Sequence, residues 1–350
     1  MKAVLFISSF EKMKPIIKLV IKLFFVLLPL WLLLIFYASS DPFKVLYNYE
    51  IYDEDLKPFV PLNRDFVSTQ NFLNRNEKEN YDSFIFGSSR SLAFRCSDWN
   101  KFVNAHPYHF DANGESLFGI LTKLEYLEKK KIPVKNCLIV LDSSILAVTE
   151  NVDNHLYIKH PAIANESKIN FHFVFLKAFL SNKFFIPYIA LKFNSEFTKN
   201  LSYQGIVDHR VLSYEEVTND VIFSGDENEI STDPDSYYQK RKETFYKRDT
   251  LAQKYYSKVI FEKQLILLQR IKNALSFLHS NYKIIIYPLY DQKKLDDSDE
   301  KILRDIFGSE NVFDFSGVNK LTNNIENYYE ADHCRAKAGL EMLKTIYTNK

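Results

Sequence analysis

The sequence predicts an α/β protein, built on a parallel sheet with helices on both faces and preceded by one transmembrane helix. Two observations lead to this prediction. Short runs of consecutive apolar residues, such as Cys137–Leu141, alternate with longer stretches of helical periodicity, a pattern typical of a parallel sheet buried on both faces. A long uncharged apolar run also lies near the N-terminus. Hydrophobic residues make up 46% of the chain and charged residues 25%, so a full core can be buried.

The apolar run near the N-terminus predicts a membrane anchor. Leu23–Ala38 holds 16 residues without a charge, or about 24 Å of helix, and the apolar residues before it extend the predicted span to 16–38. Lysines precede this span and mostly acidic residues follow it. The positive-inside rule therefore predicts a single-pass protein with a cytoplasmic N-terminus and an extracytoplasmic body. A cleaved signal peptide is the alternative, since small residues occur at Ala38-Ser39-Ser40.

In chain order we expect a cytoplasmic tail (1–15), the span, a juxtamembrane linker (39–80) and one domain (81–350). The predicted strands of that domain are Asp82–Phe86, Tyr108–Asp111, Cys137–Leu141, Lys283–Leu289 and Asn311–Phe315. The predicted helices are Ser89–Val103, Glu115–Lys131, Ser257–Leu278 and Ala336–Tyr347. Residues 151–250 interrupt this alternation and are expected to form an insertion or lid. The alternative is a solvated loop region with a helix near Phe171–Leu191.

Composition and motifs exclude several classes of function. Lys and Arg number 45 against 44 Asp and Glu, so no basic surface for nucleic acid is expected. The three cysteines form no CxxC pair, and neither an HExxH motif nor an EF-hand loop occurs. Neither a metal nor a cofactor is therefore expected. Gly114–Gly119 has the spacing of a phosphate-binding loop, but Ile120 and Leu121 replace its Lys and Ser or Thr.

The ends of the predicted strands hold the side chains best suited to chemistry. Ligands of parallel α/β sheets bind at the carboxyl ends of the strands. The residues found there are Ser88 and Ser89 after Gly87, Asn113 with Gly114, Asp142, and Glu330 with His333 before the last helix. A serine beside a histidine that a carboxylate orients is a pattern for nucleophilic catalysis. Helix capping by the serines and a structural histidine are the plainer alternatives.

In the order Gly87-Ser88-Ser89, Asn113-Gly114 and Glu330-x-x-His333, these residues resemble the SGNH (GDSL-like) hydrolase superfamily. The resemblance covers residues 80–145 and 282–347. It is strongest to the membrane-anchored branch that includes proteins of teichoic-acid D-alanylation and alginate O-acetylation. The resemblance implies a three-layer, flavodoxin-like fold. It also implies that Ser89 is the nucleophile, that His333 is the base oriented by Glu330, and that Gly114 lends its N–H to an oxyanion hole.

Three positions depart from the superfamily pattern. Ser88 and Glu330 stand where Asp is usual, and Asp142 lies in a block that lacks the usual Asn oxyanion donor. Asn113 and Arg90 are the alternative donors. The predicted oxyanion or substrate-binding residues are therefore Gly114, Asn113, Arg90 and Asp142.

The function that the resemblance implies is acyl transfer on a cell-surface polysaccharide or another acylated polymer. Water as the acceptor would make the protein an esterase, and a sugar hydroxyl would make it an O-acyltransferase. The alternatives are a catalytically weak or inactive partner of a multi-span membrane acyltransferase or of a polysaccharide export or modification system, and a polysaccharide-binding module. A Ser89–His333 separation within about 4 Å favours the enzyme. Asp332 and Asp314 compete with Glu330 as the partner of His333.

Overall fold

The computed structural model describes residues 14–52, 60–193, 210–248 and 252–348. The chain divides into two compact units, Met1–Tyr47 and Asn48–Lys350. The first is built around one apolar helix, and the second around a parallel sheet flanked by helices. This arrangement confirms the α/β prediction.

The first unit contains helix α1, Pro15–Ser40. Its 26 residues extend over about 39 Å, more than the hydrocarbon core of about 30 Å. The helix ends where Asp41 adopts a left-handed φ of 31°. The Asp41 carboxylate accepts hydrogen bonds from the N–H groups of Val45 and Leu46 at 3.1 and 3.0 Å. As predicted, this helix is long and apolar enough to span a membrane.

Helices and strands alternate along much of the second unit. Its helices are α2 Arg64–Glu79, α3 Cys96–Val103, α4 Leu117–Lys129, α5 Ser143–Ala147, α6 Pro161–Ala164, α7 Lys168–Phe179, α8 Asn182–Phe193, α9 Ser224–Thr232, α10 Pro234–Lys240, α11 Glu262–Phe277, α12 Asp297–Phe307, α13 Lys320–Asn323 and α14 Ala336–Thr348. Its strands are β1 Ser83–Phe86, β2 Pro107–His109, β3 Asn136–Leu141, β4 Ser213–Glu215, β5 Asp220–Ile222, β6 Lys254–Tyr255, β7 Asn281–Ile286, β8 Lys293–Lys294, β9 Val312–Asp314, β10 Tyr328–Glu330 and β11 His333–Cys334. Short 3₁₀ segments are Ser89–Ala93, Ser309–Asn311 and Ile325–Asn327.

The central sheet has five parallel strands in the order β2-β1-β3-β7-β9. Each corresponds to one of the predicted strands, with bounds that differ by at most three residues. β3 and β7 pair along six residues each, from Asn136 opposite Asn281 to Leu141 opposite Ile286. All five strands therefore point their carboxyl ends to the same edge, where the candidate residues follow.

Side chains of the sheet alternate between two hydrophobic clusters. Phe84 and Phe86 of β1 pack into the cluster that contains α4 and α11. Ile85, between them, packs into the opposite cluster with Trp99 of α3 and Met342 of α14. Period-2 alternation with both faces buried requires helices on both sides of the sheet. The structure thus has a helical layer on each face of the sheet.

Two of the predicted helices differ from those observed, and several observed helices were not predicted, among them α2 and α12. The stretch Ser89–Val103 forms a 3₁₀ turn and then α3, rather than one helix. α11 begins at Glu262 because the carboxylate of Asp299 accepts the N–H groups of Val259 and Ile260, at 2.7 and 3.1 Å, which holds the preceding chain outside the helix. Part of the segment expected as a linker, 39–80, forms α2.

The interval 151–250 contains secondary structure in its described parts. It holds α6 to α10 and the antiparallel hairpin β4–β5. Tyr237 of α10 donates a hydrogen bond to the Tyr329 carbonyl at 2.9 Å, so this interval packs against the strand that precedes His333.

Candidate active site

Ser89 lies in a tight turn directly after β1. The Ser88 hydroxyl accepts the N–H of Arg90 at 3.4 Å and caps the 3₁₀ segment that starts at Ser89. A Cβ at Gly87 would lie 2.8 Å from the Cβ of Ser91 and 3.1 Å from that of Val140. The close approach of the turn to β3 therefore requires glycine at this position. The turn leaves Ser89 half-buried at the carboxyl edge of the sheet.

Glu330 and His333 lie opposite each other across the β10–β11 hairpin. The Glu330 carboxylate hydrogen-bonds His333 Nδ1 and also accepts the N–H of Asp332 at 2.7 Å. Two donors thus hold the carboxylate in place. A proton on Nδ1, donated to Glu330, leaves Nε2 as the acceptor nitrogen of a neutral imidazole.

Ser89 Oγ and His333 Nε2 are 2.8 Å apart, although 244 positions separate them in the chain. Ser89, His333 and Glu330 therefore form a continuous hydrogen-bonded series. This is the geometry in which the imidazole can take the serine proton and the carboxylate can stabilise the resulting imidazolium.

The environment of Glu330 favours its ionised form. Burial by itself raises the pKa of this carboxyl, but the hydrogen bond and charge of His333, the Asp332 N–H and the Arg210 guanidinium lower it below its usual value. Arg210 Nη2 is 3.7 Å from Glu330 Oε1. The ring of Phe223 stacks at an angle beside His333, with centroids 5.5 Å apart. Glu330 is therefore a carboxylate at neutral pH and can support a positive imidazole.

The two rival carboxylates make other contacts. Asp332 pairs with Arg90 at 3.1 Å and has a side chain that is 63% exposed. Asp314 accepts hydrogen bonds from the Ser316 N–H and hydroxyl, at 2.8 and 2.6 Å. Among the described contacts, it is the Glu330 carboxylate that accepts a hydrogen bond from His333 Nδ1.

Arg90 joins the nucleophile turn to two other elements. Its guanidinium lies 2.8 Å from Asp142 at the end of β3 and 3.1 Å from Asp332 in the β10–β11 hairpin. Burial lowers the pKa of Arg90, but the two carboxylates raise it above the usual arginine value, so the group stays charged. Asp142 is itself engaged, because it also caps α5 by accepting the N–H groups of Ser144 and Ile145. Both residues therefore stabilise the turn around Ser89.

Asn113 and Gly114 line different cavities. Asn113 lies with Ser89 and His333 around a cavity of about 220 Å³, and its amide donates to the Leu62 carbonyl at 3.2 Å. Gly114 has a left-handed φ of 50° and lines a neighbouring cavity that also has a volume of about 220 Å³. The predicted oxyanion role of Gly114 stays a prediction.

The cavity at Ser89 is lined by apolar and by polar side chains. The apolar side chains are Pro61, Leu62, Leu92, Leu212, Val221 and Phe223. The polar ones, besides Ser89, His333 and Asn113, are Arg64, Asp111, Arg210 and Tyr214. Residues 210–223 belong to the interval 151–250, so that interval contributes to the wall of the site. The sequence predicted an insertion there but offered no signal for these residues.

A buried ion cluster supports the loop that holds Asn113 and Gly114. Lys123 Nζ lies 2.6 Å from Glu115 and 3.1 Å from Asp65, and Lys159 Nζ lies 2.6 Å from Glu115. Burial opposes the charges of Lys123 and Asp65, but their mutual attraction raises the pKa of Lys123 and lowers that of Asp65. Two positive and two negative groups thus fix α2, the loop and α4 together.

A second serine–histidine–aspartate series lies beneath the nucleophile turn and was not predicted. His109 Nε2 is 2.8 Å from Ser91 Oγ, and its Nδ1 is 2.9 Å from Asp220 Oδ1. His109 is fully buried. Cys96, His109 and Asp220 also offer metal-ligand atoms within 4.8 Å of one another. Both nitrogens of His109 already take part in hydrogen bonds, so the group fits a structural network better than a metal site.

Comparison of the chain with protein-family models and with curated proteins finds no match. The site itself consists of a serine in a tight turn, a histidine and a carboxylate in a hairpin, and a cavity that reaches both Ser89 and His333.

Proposed function

We propose that this protein is a membrane-anchored serine esterase or O-acyltransferase of SGNH type that acts outside the cytoplasm on an acylated polymer such as a cell-surface polysaccharide. The single observation on which the proposal depends is the 2.8 Å contact between Ser89 Oγ and His333 Nε2, with Glu330 on the other imidazole nitrogen. This separation lies within the limit of about 4 Å that favours an enzyme over an inactive partner.

The proposed reaction is acyl transfer through a covalent intermediate. His333 Nε2 takes the proton of Ser89 as Oγ attacks the ester carbonyl carbon, and Glu330 stabilises the imidazolium. The tetrahedral adduct collapses as His333 returns the proton to the leaving alcohol oxygen, which leaves an acyl-Ser89 ester. His333 then deprotonates water or a sugar hydroxyl, which attacks this ester, and the proton returns to Ser89.

The negative oxygen of the tetrahedral adduct needs hydrogen-bond donors, and removal of one such donor typically costs about 10²–10³ in rate. Asn113 supports this role best among the predicted donors, since it lines the same cavity as Ser89 and His333. Arg90 is engaged by two carboxylates, which favours a positioning role. The backbone N–H groups of Ser89 and Gly114 remain the donors that the SGNH resemblance implies.

Because apolar and polar side chains both line the cavity, it suits a substrate that has an apolar and a polar part. Its volume of about 220 Å³ suits a small acyl group or a single sugar ring rather than a long chain. The membrane-spanning helix α1 favours a substrate at the cell surface, because tethering raises the local concentration of enzyme there.

Labelling of the full chain in membranes with a fluorophosphonate probe tests the proposal. We expect the wild-type protein and Ser88→Ala to be labelled and Ser89→Ala to lose labelling, with the adduct mapped to Ser89 by mass spectrometry. Ser88→Ala is the matched control. It removes the hydroxyl next to Ser89, and with it the hydrogen bond that caps the turn, but it leaves the proposed nucleophile in place. A folded wild-type protein that resists the probe would favour the inactive-partner alternative. An adduct on Ser88 would overturn the assignment of the nucleophile.

A further inference from the structure

We propose that the helix pair α7–α8 is a second membrane-contacting element, whose open apolar face inserts shallowly into a bilayer that contains anionic lipid. Both helices belong to the second unit and take no part in the acyl-transfer mechanism.

Helix α7 has apolar side chains on two opposite faces. Phe171, Phe175 and Phe179 recur at every fourth position and are buried, at 1%, 0% and 0% exposure. Ile169 and Phe173 lie on the other face and are 83% and 60% exposed. A surface helix of a water-soluble domain normally places polar residues opposite its buried stripe. The outer face of α7 therefore has the composition of a surface that contacts something apolar.

The exposed apolar surface continues beyond the end of α7. Leu180, which follows α7, is 42% exposed, and Ile186 of α8 is 59% exposed. Phe184 and Tyr188 of α8 stack with ring centroids 5.4 Å apart on its buried side. The two helices together are long and apolar enough for a membrane span, but they are bent by 69° relative to each other. A bend of this size favours shallow insertion over a straight crossing.

The charge of the helix pair selects lipid as the occupant. Residues 168–193 contain four lysines and no Asp or Glu. Apolar side chains flanked by lysines are the signature of helices that lie in the interface of anionic bilayers.

Fluorescence quenching in vesicles tests the insertion directly. The full chain is reconstituted in phosphatidylcholine vesicles with or without phosphatidylglycerol, and an environment-sensitive fluorophore is attached to Phe173→Cys or Ile186→Cys. Native Cys96, Cys137 and Cys334 are buried, so they compete little for the label. Lys301→Cys, on α12 with a side chain that is 77% exposed, is the control.

We expect a lipid-borne nitroxide to quench the labels at 173 and 186 at least twofold more than the label at 301. Aqueous iodide should quench the labels at 173 and 186 less than the label at 301. Labels at 173 and 186 that respond to both quenchers as the label at 301 does would overturn the proposal, and a protein partner would then be the occupant to seek. Because these positions are exposed, the melting temperature should stay within a few degrees of wild type.

The electrostatic part has its own test. Lys177→Glu combined with Lys183→Glu should reduce lipid quenching of the label at 173 in vesicles that contain phosphatidylglycerol, and have a smaller effect in vesicles of phosphatidylcholine alone. Equal quenching with and without these substitutions would overturn the role of anionic lipid.

Discussion

At the scale of single residues, the carboxylate of the candidate triad shows how a longer side chain is accommodated. Glu330 stands where the resembled superfamily has Asp, and one extra methylene must find room. The pairing of β10 with β11 shifts in register between Tyr328 and Glu330, so the longer side chain starts from a displaced backbone position. Its carboxylate still reaches His333 Nδ1.

Replacing Glu330 by Gln should slow fluorophosphonate labelling of Ser89 at least tenfold. The amide keeps the shape and can still accept the Asp332 N–H, but it cannot stabilise the imidazolium, and comparable triad lesions cost up to about 10⁴ in rate. The melting temperature should stay nearly unchanged. The measurement is the labelling rate of the purified full chain, with Asp314→Asn as the matched control that should retain it. Full labelling of Glu330→Gln together with loss in Asp314→Asn or Asp332→Asn would move the assignment to that aspartate.

At the scale of elements, the nucleophile turn is held by a strand and by a distant hairpin. Ser91 in the turn contacts His109 at the end of β2, and His109 contacts Asp220 at the start of β5. The Asp220 carboxylate also accepts the N–H of Cys96 at 2.9 Å, at the start of α3. Hairpin β4–β5 thus supports the turn through Asp220. The same stretch, residues 210–223, also contributes to the lining of the cavity at Ser89.

His109→Ala should lower the stability of the protein and also slow the labelling of Ser89. The substitution leaves the Ser91 hydroxyl and the Asp220 carboxylate buried with one partner fewer, and a buried unsatisfied polar group costs about 1–3 kcal/mol. Chemical denaturation measures the first effect and labelling rate the second. Trp99→Phe, which removes a hydrogen bond to Tyr347 on the same side of the sheet, serves as a control that should lose stability without a specific loss of labelling. If the labelling rate fell in proportion to stability equally in both variants, the role of His109 would be purely structural.

His160, which caps α6 and stacks on Phe66 with centroids 4.9 Å apart, should make the fold sensitive to acid. Burial lowers its pKa from 6.5 to about 4, although Asp65 opposes part of this shift. Between these two values the unfolded chain binds a proton that the folded chain does not, so stability falls as the pH falls from 6.5 towards 4. His160→Asn keeps a capping acceptor without this titration. Its melting temperature should therefore drop less than that of wild type between pH 7 and pH 5, and parallel drops would contradict the assignment.

At the scale of the whole molecule, an apolar helix precedes an α/β unit with a nearly balanced charge. Lysines lie on the N-terminal side of α1, and Asp41 begins the mostly acidic stretch that follows it. The 26 residues of the helix can cross a bilayer core of about 30 Å. The asymmetry of lysines around the helix, rather than the net charge of the protein, predicts its orientation.

A reporter fused after Lys350 should report an extracytoplasmic C-terminus. Alkaline phosphatase, which is active only outside the cytoplasm, should be active in this fusion, and a fluorescent protein that matures only inside should stay dark. The opposite pair of readings would reverse the topology. Changing the lysines before α1 to glutamate should lower the fraction of molecules with an extracytoplasmic C-terminus, because positively charged flanks of a membrane span favour the cytoplasmic side.

Local sequence revealed part of the set of elements. Short apolar stretches identified the five strands of the sheet, because such stretches record burial of their own segment. The long uncharged run identified α1, because its length and composition fit a bilayer. Helix α2 was missed because its few apolar side chains, such as Phe66 and Phe72, are separated by polar residues and form no clear apolar pattern in the sequence. The broken helix after Ser89 was missed because its shape depends on the close approach of Gly87 to β3.

The candidate residues of the triad were found from the sequence, their individual roles were assigned through a resemblance, and the tertiary structure decided the contacts among and around them. The side chain of Asp220 meets His109 across 111 positions of the chain, and Ser89 meets His333 across 244. Periodicity along one element tells which of its faces is buried, but it contains no information about which distant segment covers that face. The pairing of hairpin β4–β5 with the nucleophile turn therefore depends on how the elements pack, and only the folded chain brings those side chains within hydrogen-bonding distance.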